Sequence, residues 1–210
     1  MRNRLLAGAA ALAAATALIA LPAGTAGAAP GAPALRTDSP AVNVGGPLSA
    51  DLVAGTIATM YNPGTTTGVK CTASHIGGTL AVDPNPPGSM SGPVDTLSFG
   101  ACTSNIIGVI SVTGLTMDHL PYTLAVSDAS GYPVVLFPAS GSTIQATLVL
   151  KTLAGTATCV FRANTLNGNA THGLTQIDLS NQNLTKAIGP SICFPTIGFS
   201  ASYGPVNLVN

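Results

Sequence analysis

The sequence predicts an all-β protein, an antiparallel β-sandwich or barrel of roughly ten short strands held by two disulfides. Three observations carry this expectation. Only 7% of the 210 residues are charged, with no Glu and three Lys, so the side chains that cover exposed helix faces are nearly missing. Apolar residues recur with a period of two rather than 3.6 from residue 48 onward. Glycine (24) and proline (16) punctuate the chain at the short intervals that turns between strands require.

The N-terminal element is an export signal. Met1 to Arg4 carry two arginines, residues 5–22 follow without a charge, and Ala26-Gly27-Ala28 supplies a small-residue cleavage site, so residues 1–28 read as a cleaved secretory peptide. A retained membrane anchor is the competing reading, disfavoured because most of this stretch is weakly apolar alanine. Arg2 and Arg4 are not adjacent, which points to the general secretion route rather than the twin-arginine one, and no cysteine stands nearby to take a lipid anchor. Residues 29–47 form an Ala/Pro/Gly-rich leader, and residues 48–210 form a single β domain. Loss of residues 1–28 leaves five basic side chains against seven Asp, a charge of −2 that offers nothing to nucleic acid.

Within the domain, alternation places Val69, Cys71 and Ala73 on one strand face, then Tyr122, Leu124 and Val126. Ile144, Ala146, Leu148 and Leu150 follow, then Ala157, Cys159 and Phe161, and last Ile197, Phe199, Ala201 and Tyr203. Further strands are expected at 48–60, 79–83, 95–101, 106–113, 133–137 and 174–179, with turns at 83–93, 128–133 and 167–173. Ser and Thr make up 39 of the 182 residues after position 28, and 23 of these are Thr, which can cover the wet face of a sheet without charge.

Export implies oxidation, so Cys71, Cys102, Cys159 and Cys193 are expected to form two disulfides. Of the three connectivities, Cys71–Cys102 and Cys159–Cys193 is favoured, because the separations of 31 and 34 match and each half closes its own loop. The halves 48–127 and 133–210 also echo one another: Thr56–Met60 precedes Cys71 much as Thr143–Leu148 precedes Cys159. Internal duplication is one reading of this echo, and shared Thr/Ile composition is the other.

Chemistry-bearing motifs are sparse. His75, His119 and His172 lie 44 and 53 residues apart and no CxxC occurs, so no metal site is expected. The nearest nucleophile-elbow look-alike, residues 88–92, has Met90 where Ser is needed. The Asp residues sit mostly in turns, where they are expected to hydrogen-bond the backbone, and they show no paired carboxylates. No catalytic residue and no cofactor is therefore assigned. With no Trp and four Tyr the chain lacks a sugar-binding platform, and nine aromatics are too few for the girdles of a membrane-spanning barrel.

The Ala-rich signal, the paired cysteines and the segment Leu120-Pro121-Tyr122-Thr123-Leu124-Ala125-Val126 resemble uncharacterised secreted β-proteins common in streptomycetes and related actinobacteria. More distantly, the Leu-Pro-aromatic segment after a cysteine-bearing strand is similar to secreted proteins labelled alkane-oxidation activators. The resemblance implies an accessory role at the cell envelope and carries over no catalytic residue. The expectation is a secreted or envelope-associated non-catalytic β-protein with a structural or interaction role and no membrane span after signal cleavage. The alternatives are a carrier of apolar small molecules and a hydrolase whose site is assembled from distant residues.

Overall fold

The computed structural model describes residues 44–82 and 88–208, so the expected signal peptide (1–28), most of the expected leader (29–47), residues 83–87 and residues 209–210 lie outside the described residues. Thirteen strands appear among the described residues. They are β1 (Pro47–Asp51), β2 (Ala58–Tyr61), β3 (Gly68–Thr79), β4 (Ser89–Ser104), β5 (Val109–Asp118), β6 (Tyr122–Ser127) and β7 (Pro133–Phe137). β8 (Ile144–Thr152), β9 (Gly155–Ala163), β10 (Leu166–Ala170), β11 (Ile177–Ile188), β12 (Thr196–Tyr203) and β13 (Asn207–Leu208) complete them. A single 3-10 turn, His172–Leu174, is the one helical element among the described residues.

The strands form a closed antiparallel barrel, not a sandwich. β4, β5, β8, β9, β11, β12, β2 and β3 make an eight-membered ring closed by the β3–β4 pairing. The other five strands continue ring strands past an interruption. β1 and β2 both pair with β3, β5 and β6 both with β4, and β9 and β10 both with β11. β7 and β8 are consecutive on the chain and pair with β6 and β5 respectively, and β13 prolongs β12 against β1. The chain thus runs up and down through eight long strands, each bonded to the next and the last bonded back to the first. Three of the five interruptions contain a proline, Pro121, Pro138 or Pro205, whose missing N–H cannot serve a ladder. These breaks line up as a waist around the barrel. Long strands wound on a closed barrel must bend, and a break lets them do so.

The two ends of the barrel differ. The tip end carries the connections 62–67, 105–108, 153–154 and 189–195, and the leader end carries residues 80–82 and 88, the connections 128–132 and 171–176, the start of β1 and the end of β13.

Alternation fills the interior as the periodicity predicts. Ile144, Ala146, Leu148 and Leu150 are buried, as are Tyr122, Leu124 and Val126 and the series from Ile197 to Tyr203. An eight-strand barrel is just wide enough for side chains to fill it, and here they do. The void bounded by Leu48, Leu80, Met90, Val94, Leu124 and Leu174 measures about 10 Å³, roughly one water. Outward positions carry Gln145, Thr147 and Lys151 on β8, Thr156, Thr158 and Arg162 on β9, and Asp178, Gln182, Asn183 and Thr185 on β11. An apolar interior inside a polar wall inverts the arrangement of a lipid-spanning barrel.

Both disulfides have the expected pairing. Cys71 and Cys102 stand directly opposite one another on β3 and β4, with Cα atoms 4.0 Å apart. Cys159 on β9 holds Cys193 in the 189–195 connection, at a Cα separation of 5.6 Å.

Several local expectations need correction. Ala73 is exposed: two residues rather than one separate the inward side chains Cys71 and Ser74, and likewise Phe99 and Cys102 opposite, where Ala101 has φ 50°. Residues 89–93 and 167–170 are strand, although Gly, Pro and Asn gave them the look of turns. Glycine is needed there for close backbone approach: a Cβ at Gly92 would lie 1.8 Å from the Thr79 carbonyl oxygen, and one at Gly78 would lie 1.9 Å from that of Pro93. The expected strand 79–83 reduces to the isolated bridge Val82–Ser91. Asp128 is buried, and among the described residues neither of its carboxylate oxygens has a hydrogen-bond partner, in its turn or elsewhere.

Candidate functional site

The polar side chains with chemical potential gather on the outer wall at the waist, in two rows that run across the strands. In the first, Asp51 on β1 pairs with His75 on β3, His75 with Ser98 on β4, Ser98 with Thr116 on β5, and Thr116 with Thr147 on β8. Directly opposed residues on neighbouring strands bring their side chains within reach, and Asp51 Oδ1 lies 2.7 Å from His75 Nδ1. In the second row Asp118 pairs with Gln145, Gln145 with Arg162, and Arg162 with Thr185.

The second row is a chain of hydrogen bonds. Arg162 Nε donates to Gln145 Oε1 at 2.7 Å, and Gln145 Nε2 donates to Asp118 Oδ2 at 2.8 Å. Thr147 Oγ1 adds a bond to the same carboxylate oxygen at 2.5 Å, and Thr116 Oγ1 donates to Oδ1 at 3.3 Å. Partial burial by itself raises the Asp118 pKa, but the bonds from Gln145, Thr147 and Thr116 and the field of His119 outweigh it, and the net shift is downward. A carboxylate so held stays ionised at neutral pH and acts as a fastener among β5, β8 and β9. It is not poised as a general acid.

The first row looks more like an active site. A carboxylate orienting an imidazole beside a serine is the constellation of a hydrolase. The geometry departs from that template at the serine. His75 Nε2 leans over Gly77, where an added Cβ would meet it at 3.1 Å, and no hydrogen bond joins the ring to Ser98 among the described residues. Asp51 is 79% exposed, so water competes for the pair.

The remaining histidines stand apart. His119, at φ 64° in the β5–β6 break, faces the Thr143 carbonyl oxygen at 3.2 Å, and His172 packs edge-on against Tyr132 at the leader end. Among the described residues no three metal-ligating side chains cluster. Cys71, Cys102, Cys159 and Cys193 are consumed in disulfides. Two shallow grooves mark the wall, one of about 480 Å³ lined by Tyr61, Thr66, Lys70 and Asn105 and one of about 380 Å³ lined by Arg162, Asn164, Asn183 and Thr185. Asn105 is already committed in the first, accepting from the Gly68 N–H and donating to the Thr66 carbonyl.

Sequence reading missed both rows. Asp51 and His75 are 24 residues apart, and only the β1–β3 register brings them together. Neither row leaves a local motif.

No protein-family model, curated protein or solved structure matches this chain.

Proposed function

We propose that this protein works outside the cytoplasm as a secreted or envelope-associated, non-catalytic β-barrel with a structural or interaction role. The observation that carries the reading is the distribution of side chains. The interior is filled with apolar groups, the wall is threonine-rich and sparsely charged, and two disulfides hold the strands, so the surface is what the molecule offers to others. Such a wall presents few sites to trypsin-like proteases, and disulfides suit an oxidising medium. A carrier of apolar molecules is less well supported, because the apolar void of about 10 Å³ is far below the few hundred Å³ of a ligand pocket.

The decisive experiment fractionates cells into medium, wall and membrane, and screens the purified protein for hydrolase turnover. Recovery outside the cytoplasm with no turnover supports the reading. The registered row Asp51, His75 and Ser98 favours a hydrolase as the second reading. In that case His75→Ala would cut turnover by orders of magnitude, whereas in an interaction module it changes association by no more than a few fold.

A further inference from the structure

The barrel is electrically polarised along its axis. Beyond the waist, the tip half carries Lys70 near the start of β3, Lys151 near the end of β8 and Lys186 near the end of β11, and no acidic side chain among the described residues. Asp128 and Asp178 stand in the leader half, and Asp51, Asp95 and Asp118 gather at the waist with Arg162. Lys186 Nζ donates to the Cys193 carbonyl at 2.9 Å, which fixes its charge beside the 189–195 connection.

The same end bears the two most exposed large apolar side chains described. Ile107, in the β4–β5 turn, is 96% exposed, and Leu153, in the β8–β9 turn, is 85% exposed. The turns touch: the Leu153 N–H donates to the Gly108 carbonyl at 3.3 Å, so the two side chains crown neighbouring hairpins. Ile110, 56% exposed, lies just behind them. Turns favour Gly, Asn and Ser, and an isoleucine and a leucine fully in water at adjacent tips add nothing to folding.

Apolar knobs on an end that carries cations, with the described acids kept to the waist and the leader half, match the chemistry of an anionic lipid surface. Headgroup phosphates attract the lysines while the knobs enter the boundary between headgroups and acyl chains. We propose that the tip end docks peripherally on an anionic membrane. Ile107 and Leu153 enter the interface, Lys70 and Lys151 sit at phosphate level, and the leader end points away from the bilayer. The proposal rests on the interaction-module reading and names its partner.

The test is co-sedimentation of the purified protein with vesicles of mixed phosphatidylglycerol and phosphatidylcholine, against phosphatidylcholine alone. Partitioning should be at least about tenfold stronger on the anionic vesicles and should fall with salt. The double variant Ile107→Asp/Leu153→Asp should lose binding by about tenfold or more, and Lys70→Glu/Lys151→Glu should abolish the preference for anionic lipid. Val82→Asp, at a half-exposed apolar position of the leader end, should bind like the parent, and all variants should melt like the parent because the altered side chains are exposed. Equal binding of parent and tip variants overturns the proposal, as does equal affinity for neutral vesicles. A tip-to-tip dimer in solution that the Ile107/Leu153 variant dissociates also overturns it. Absence of vesicle binding in a protein that still fractionates with the cell wall removes the lipid assignment alone, whereas turnover lost in His75→Ala removes the interaction-module reading.

Discussion

Two buried tyrosines tie the barrel wall to its interior. Ser74 Oγ donates to the Ser98 carbonyl at 2.8 Å, so its single proton is spent, and the Tyr203 hydroxyl 2.9 Å away must donate to it. Tyr122 donates to the Asp118 carbonyl and accepts from the Gln145 N–H at 3.1 Å, bracing the β5–β6 break against β8. Burial raises the Tyr203 pKa well above its ordinary 10.0, and the Ser74 bond only partly opposes it. Above pH 10 the unfolded chain therefore releases a proton that the folded chain keeps, and stability falls as pH rises. Tyr203→Phe should cost about 1 kcal/mol at pH 7 and weaken the alkaline loss, as urea titrations from neutral pH to pH 11 will show. Asp128 is the opposite case, a buried carboxylate with no partner among the described residues. Asp128→Asn should raise stability by about 1 kcal/mol, a gain of about 2–4 °C in Tm for a chain of this size. Asp118 moves the other way with pH: its lowered pKa makes its stabilisation present at neutral pH and lost as acid protonates it.

At the scale of elements, the two disulfides do different work despite similar loop lengths. On the loop-entropy model each contributes roughly 3–4 kcal/mol, because the separations of 31 and 34 residues restrict the unfolded chain alike. Cys71 and Cys102 are already neighbours in the β3–β4 ladder, whereas Cys159–Cys193 ties a connection without strand structure to β9. Hydrogen exchange should separate the two. Cys159→Ala/Cys193→Ala should expose amides of residues 189–195 to fast exchange, while Cys71→Ala/Cys102→Ala should leave the β3–β4 ladder protected and lower only the global stability.

For the whole molecule, closure is the dominant fact. The seam between β2 and β12 pairs Met60 with Phe199, so the last strand must find the first before any edge disappears. The halves 48–127 and 133–210 each supply four successive long strands to one ring, and neither closes by itself. Unfolding should accordingly be a single cooperative transition, with far-UV and near-UV circular dichroism giving superimposable urea curves. Two separated transitions would show that the halves are independent.

Period-two alternation identified most strands and their inward sets, because it depends only on neighbouring side chains pointing to opposite faces, and it failed at Ala73, where β3 is irregular. β7 spans 133–137 as expected, and Ile144, Ala146, Leu148 and Leu150 all face the core. Cysteine parity and spacing likewise sufficed for the disulfide pairing. Composition misled where glycine, asparagine and proline serve a strand instead of a turn, as at Gly92 and in β10, because the reason lies in another backbone pressing close. Barrel closure, the waist, the Asp51–His75 contact and the Asp118–Gln145–Arg162 chain were decided by the tertiary structure alone. Each depends on the register between strands far apart in the chain, and register is set by the packing of the whole ring, which no local window contains.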